Sequence, residues 1–352
     1  RPEGGAAGLL ARLQVPLARA ALQDGAFFVR DQHPARELLN AVAESGASWL
    51  GAEDTDPQLQ LKLEQVVDRV VSEYDGDESV FTAASEEVQG HFRAAAHKAE
   101  VAERRHIEAA RGRERLEAAK LRAGQVIEEL CARTEPPRFV QSLLRQAWAD
   151  VLTLTLLRNN ELSPEWEQRR AASERIAELT CAQPGSLPPD PTFTAQLETA
   201  LIQVGYHSEE AGAIARRLST PGGEDEQSSR TELTARLKAR TRLGDQKDKT
   251  TERAPPPPPR SAAEDAAYRE LRGLPFGTWF EFTTNQQGDL RRQRLSWFSL
   301  LTDHCLFVNQ RGQKLAETTM DSVARLMASG QARVVTEERG RLRRWCVRLV
   351  PR

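Results

Sequence analysis

The sequence predicts an α+β multidomain protein: an all-helical array over residues 1–218, a disordered proline-rich linker over 219–262, and a small antiparallel β-barrel or twisted sheet with one helix over 263–352. Three observations predict it. Up to about residue 218, apolar residues recur at i, i+3, i+4 and i+7, the signature of helices with one buried face. From "TPGGEDEQSS" to "APPPPPR" the chain turns to Pro, Gly and charge, and its five-proline run favours polyproline II, a stiff spacer. Beyond that, aromatic and polar residues alternate with the period of strands.

The first helix is marked by Leu9, Leu10, Leu13 and Leu17, with Pro16 as an irregularity. The stretch "FFVRDQHPARELLN" follows. Ala35, Leu38, Leu39 and Val42 repeat at helical spacing, and Pro34 suits the first helical position, where its missing N–H is an orphan donor anyway. Asp31 or His33 caps the entry, Phe27 and Phe28 pack back on the apolar face, and Arg36 and Glu37 face outward. The stretch reads as a knuckle between two helices. An anion site at His33 and Arg36 is the competing reading, because helix N-termini attract anions.

Leu59, Leu63, Val66, Val67 and Val70 make the next helix, in a segment from Asp54 to Tyr74. From Ser85 to Cys131 the chain is helical and highly charged, with a seam of small residues interrupted at Arg113 and Lys120. That seam is too weak for a coiled coil. A long solvent-rich helix, or a hairpin broken near Gly112, fits it. His91, His97 and His106 lack the i, i+4 spacing that places two ligands on one face. Further helices begin after Pro136 and Pro137, at Ser163 as N-cap with Pro164 at the first position, and in "DPTFTAQLETALIQVGY" and "SEEAGAIARRLS", joined near Gly205. The total is seven to nine helices in a bundle or irregular array, with Trp148 and Trp166 in the core. The proline run is read as a plain linker in preference to an SH3-like ligand.

The last ninety or so residues carry the strand pattern. "GTWFEF" alternates Thr278, Phe280 and Phe282 against Trp279 and Glu281. "LRRQRLSWF" sets Arg292, Arg294, Ser296 and Phe298 against Arg291, Leu295 and Trp297. "HCLFVNQRGQKLAE" reads as two strands around "NQRG". "TTMDSVARLMASG" reads as a helix capped by Thr318 or Thr319, burying Val323, Leu326 and Met327. "ARVVTEE" and "RRWCVRLV" read as a hairpin around Gly340.

Composition narrows the function. Charged residues are 28% of the chain, aromatics 6%, and the net charge is −2, which argues against a nucleic-acid coat or a polybasic membrane anchor. Four cysteines, Cys131, Cys181, Cys305 and Cys346, form no CxxC; neither a zinc site nor a disulfide scaffold is expected, and a reducing cytoplasm fits. No apolar run approaches the roughly 20 residues of a spanning helix, so no stable membrane insertion is expected. The opening "RPEGGAAGLL" has neither Met nor a signal pattern, and the chain reads as the back part of a longer protein.

"GTWFEF", "RLSWFS", "LFVNQRGQKLAE" and the M-x-S-V-A-R-L-M-x-S-G helix resemble the C-terminal domain of a bacterial family catalogued as domain of unknown function 1631, and "HPARELLN" resembles its helical part. That resemblance implies little about activity. Some members carry a thymidine phosphorylase label, but this chain has no glycine-rich phosphate loop or catalytic constellation to support it. The C-terminal part also distantly resembles PilZ domains, which bind cyclic di-GMP through RxxxR and [DN]xSxxG motifs. Arg291, Arg292 and Arg294 do not make RxxxR, and the second motif is absent. GxSxG, P-loop and HExxH patterns are absent too.

The expectation is a non-enzymatic cytoplasmic regulatory or scaffold protein that binds a protein or an anionic ligand through its C-terminal β domain. Arg291, Arg292, Arg294, Arg311 and Lys314 are its candidate contacts. No catalytic, cofactor or metal residue is assigned, and no nucleic-acid partner is expected. The alternatives are a degenerate PilZ-like cyclic di-GMP effector, or an enzyme whose active part lies ahead of residue 1.

Overall fold

The computed structural model describes residues 5–30, 32–48, 57–223, 258–283 and 290–335. The chain forms two compact units, one of residues 1–110 with 259–352, the other of residues 111–258.

In the first unit, α1 (Gly5–Gln23), α2 (Ala26–Val29), α3 (Pro34–Ser48) and α4 (Pro57–Glu73) pack with the start of α5 (Ser79–Thr134). Leu9, Leu13, Leu38, Val42, Leu63, Val66, Val67, Phe81 and Val88 share one apolar cluster. These are the positions that helical spacing places inward, because each helix has one apolar stripe to bury. The knuckle forms as expected at His33, whose Nδ1 accepts the Ala35 N–H at 3.2 Å; Asp31 lies outside the described residues. Phe27 packs against the core, and Phe28 is 64% exposed instead of folding back. Arg36 donates to the carbonyls of Arg30 and Phe27.

Between a long helix and a broken hairpin, the structure takes the helix. α5 is 56 residues long and runs through Gly112 without a break. Its central turns are rich in Glu, Arg and Ala, which are strong helix formers.

In the second unit the end of α5 is followed by α6 (Arg138–Leu143), a π-helical turn (Leu144–Trp148), α7 (Ala149–Arg158), α8 (Pro164–Cys181), α9 (Pro191–Gln203) and α10 (Ser208–Ser219). Ser163 caps α8 by accepting the Trp166 N–H, and Asp190 caps α9 by accepting the Phe193 N–H. Trp148 and Trp166 are both core residues. Trp148 satisfies its buried indole N–H on Ser173 Oγ at 2.8 Å.

Returning to the first unit, α11 (Ala262–Gly273) precedes a five-stranded antiparallel sheet of order β4-β3-β2-β1-β5. The strands are β1 (Trp279–Thr283), β2 (Leu290–Phe298), β3 (His304–Val308), β4 (Lys314–Thr319) and β5 (Ala332–Val334), with α12 (Met320–Ala328) between β4 and β5. The helix read from "TTMDSVARLMASG" is α12, capped by Thr319. α11 is additional, and it opens with a reciprocal capping box between Ser261 and Glu264. One sheet face, with Phe280, Leu295, Cys305 and Phe307, packs on Leu271 of α11 and on Met320 and Val323 of α12. Most of the segment read as linker, residues 224–257, and the strand "RRWCVRLV" with Cys346 lie outside the described residues.

Candidate binding face of the C-terminal sheet

The other sheet face carries the predicted arginines. Antiparallel register sets Glu281 opposite Arg292 on one side and opposite Arg333 on the other. Residues directly opposite in a ladder share a face. The row Arg333–Glu281–Arg292 therefore crosses three neighbouring strands. Its centre is buried and its ends are not: side-chain exposure is 8% for Glu281, 56% for Arg292 and 67% for Arg333. Arg292 donates Nε–H to Glu281 Oε1 at 2.9 Å, and Arg333 donates Nε–H to Oε2 at 2.7 Å. Burial pushes the Glu281 carboxyl up, but the two guanidiniums more than offset this and hold it below the ordinary glutamate range.

The next row is Trp279, Arg294, Val308 and Lys314. The Arg294 guanidinium carbon sits 5.7 Å from the centre of the Trp279 ring. Arg294 and Ser296 both donate to the Glu103 carboxylate on α5. A bulge between Leu295 and Trp297 breaks the strict alternation expected of β2. It turns Trp297 to the α5 side with Leu306 and Val308, against Ile107 and Ala110, while Phe298 joins the opposite core with Leu295. Bulges re-aim side chains in this way because the extra residue shifts the pleat.

Of the five predicted contacts, Arg292, Arg294 and Lys314 share this face. Arg291 stands opposite Phe282, on the other face. Arg311 lies in the β3–β4 turn, where its N–H donates to Asn309 Oδ1 at 3.0 Å. The sequence reading missed Glu281, Arg333 and Glu103. Glu281 and the arginines have the right parity in their own strands, but pairing them requires the register between strands.

His304 is exposed and Cys305 buried, on opposite faces. Burial, helped by Asp303, pushes the Cys305 thiol up to about 12, which leaves it without nucleophilic character near neutrality. Among the described residues no helix is long and apolar enough to cross a membrane.

No curated protein and no solved structure matches the chain. Family models match three parts of it. Residues 2–77 match "Protein of unknown function (DUF1631) 2nd domain". Residues 109–219 match the third domain of that family, and residues 266–335 its C-terminal tudor domain. With successive domains of one family matched over most of its length, the tudor-type sheet among them, the chain belongs to the DUF1631 family of proteins of unknown function.

Proposed function

We propose that the protein is a non-enzymatic binding protein, a cytoplasmic regulatory or scaffold component. In this reading residues 1–218 are a helical platform, 219–262 a linker, and 263–352 the domain that docks an acidic segment of a protein partner. Arg292 and Arg333 are the central contacts. Lys314 extends the positive row and Arg311 flanks it from the β3–β4 turn, whereas Arg294 is engaged by Glu103 and Arg291 stands on the other face.

The observation that supports this is the pair of exposed guanidiniums held by one buried carboxylate. Each keeps N–H donors beyond those given to Glu281, and two positive charges around one negative leave a net +1. Guanidiniums braced in advance lose less freedom on binding, and their forked donors match a carboxylate in geometry and charge. The tudor-type domain that carries them is in keeping with a protein-interaction role.

The test is fluorescence anisotropy of a labelled polyglutamate peptide against the full chain. Replacing both arginines alone would strand Glu281 as a buried unpaired charge, so the informative variant is Glu281→Gln with Arg292→Gln and Arg333→Gln. The wild type is expected to bind with an affinity that falls as salt rises, and the triple variant to lose that binding while keeping its far-UV spectrum. Equal binding by the triple variant rejects the reading. Cyclic di-GMP is titrated in parallel, because the same guanidiniums match phosphate; saturable binding that the triple variant abolishes would favour a nucleotide effector over a peptide-docking domain.

A further inference from the structure

We infer that Asp24, His33 and Glu78 form a site for a divalent transition ion of the zinc type. The three come from separate connections: Asp24 precedes α2, His33 opens α3, and Glu78 precedes α5. His33 is only 2% exposed, and among the described residues its Nε2 has no hydrogen-bond partner. A buried polar atom left without a partner is rare enough to require a cause.

The distances supply one. Nε2 lies 3.3 Å from Glu78 Oε1 and 3.6 Å from Asp24 Oδ2. Both exceed the ordinary N–H···O range of about 2.7–3.2 Å. They approach the edge of a ligand tetrahedron, since two donors each bonded to zinc at roughly 2.0–2.1 Å lie about 3.3 Å apart. All three donor atoms lie within 4.8 Å of one another. Asp24 Oδ1 accepts the Ala26 N–H at 2.8 Å, which leaves Oδ2 turned to the ring. The carboxylates of Asp24 and Glu78 are 43% and 42% exposed, so they have room to close on an ion and to leave a fourth position to water. One imidazole and two carboxylates suit zinc, whereas magnesium and calcium favour oxygen-only sets.

The second ring nitrogen makes the inference stricter. Nδ1 accepts the Ala35 N–H, so the neutral ring carries its proton on Nε2. An ion at Nε2 needs that lone pair. The proton then moves to Nδ1, the ring stays neutral, and the Ala35 hydrogen bond breaks as the Nε2–metal bond forms. Occupancy is therefore coupled to loosening of the first turn of α3.

The full chain, stripped with a chelator, is titrated with zinc chloride by calorimetry beside Asp24→Asn and Glu78→Gln. Both changes preserve side-chain shape and leave His33 in place. Each is expected to weaken the wild-type zinc site at least about tenfold, since even outer-shell changes cost 10–100-fold. Amide exchange at Ala35 is expected to speed up with zinc in the wild type and not in Glu78→Gln. Absence of zinc binding by the wild type, or unchanged affinity in both variants, overturns the assignment.

Discussion

Arg294 of β2 donates to the carboxylate of Glu103 on α5, across 191 positions of sequence. Glu103 is 15% exposed and Arg294 30%, and Ser296 donates to the same carboxylate. This contact ties β2 to α5, so Arg294 is a packing contact of the sheet, whereas Arg292 of the same strand pairs with Glu281.

Replacing Glu103 by Ala should lower stability by about 1.5–3 kcal/mol, the range for hydrogen bonds to charged groups. In a double-mutant cycle with Arg294→Ala, chemical denaturation should give a coupling above about 0.5 kcal/mol. Additive single and double changes would show that the contact contributes nothing to the fold.

Glu281 predicts a pH dependence. Its carboxyl is held below the ordinary glutamate range, about 4.3. A depressed folded-state value means the unfolded chain binds the proton more readily. The stabilisation is therefore complete above the unfolded value and is lost as pH falls through the folded one. Glu281→Gln should remove that part of the acid limb, so the stability difference between wild type and variant should shrink as pH falls below about 4.3. A difference that stays constant through that range would mean that Glu281 is not held as described.

The knuckle predicts a contrast between neighbours. Leu38 is fully buried, so Leu38→Ala should cost about 2–5 kcal/mol in thermal or chemical unfolding. Arg36 donates to the carbonyls of Phe27 and Arg30 at the surface of the turn, and Arg36→Ala should cost less than about 1.5 kcal/mol. A larger loss at Arg36 than at Leu38 would reverse the assignment of which residue holds the turn.

Gly312 sits at φ +69° in the β3–β4 turn, and a Cβ there would run into the Ala99 carbonyl of α5. Gly312→Ala should therefore destabilise by about 1–3 kcal/mol, from steric overlap at a packed contact and backbone strain. A melting temperature equal to wild type would place the turn away from α5.

The helices were legible because their signals are local. Ser163 and Asp190 stand just ahead of proline-initiated helices, and Leu59, Leu63, Val66 and Val70 mark a buried stripe. α11 carried such a signal too: Ser261 and Glu264 stand at capping-box spacing ahead of Ala267 and Leu271, but the neighbouring proline run drew that start into the linker. The binding face was only half legible. Strand parity placed Arg292 and Arg294 on one face. No local pattern encodes that Glu281 meets Arg333, that Glu103 meets Arg294, or that a bulge turns Trp297 toward α5. Those depend on strand register and on chain segments far apart in sequence.

The sequence distance between α5 and the sheet also has a consequence during synthesis. Glu103 leaves the ribosome 191 residues before Arg294, an interval of about 10–40 s at 5–20 residues per second. Through that interval Ile107 and Ala110 have no sheet to cover them, although the helix around them is already able to form. The nascent chain thus offers the α5 surface that β2 will later cover, and ribosome-bound chaperones should crosslink there until β2 and β3 emerge.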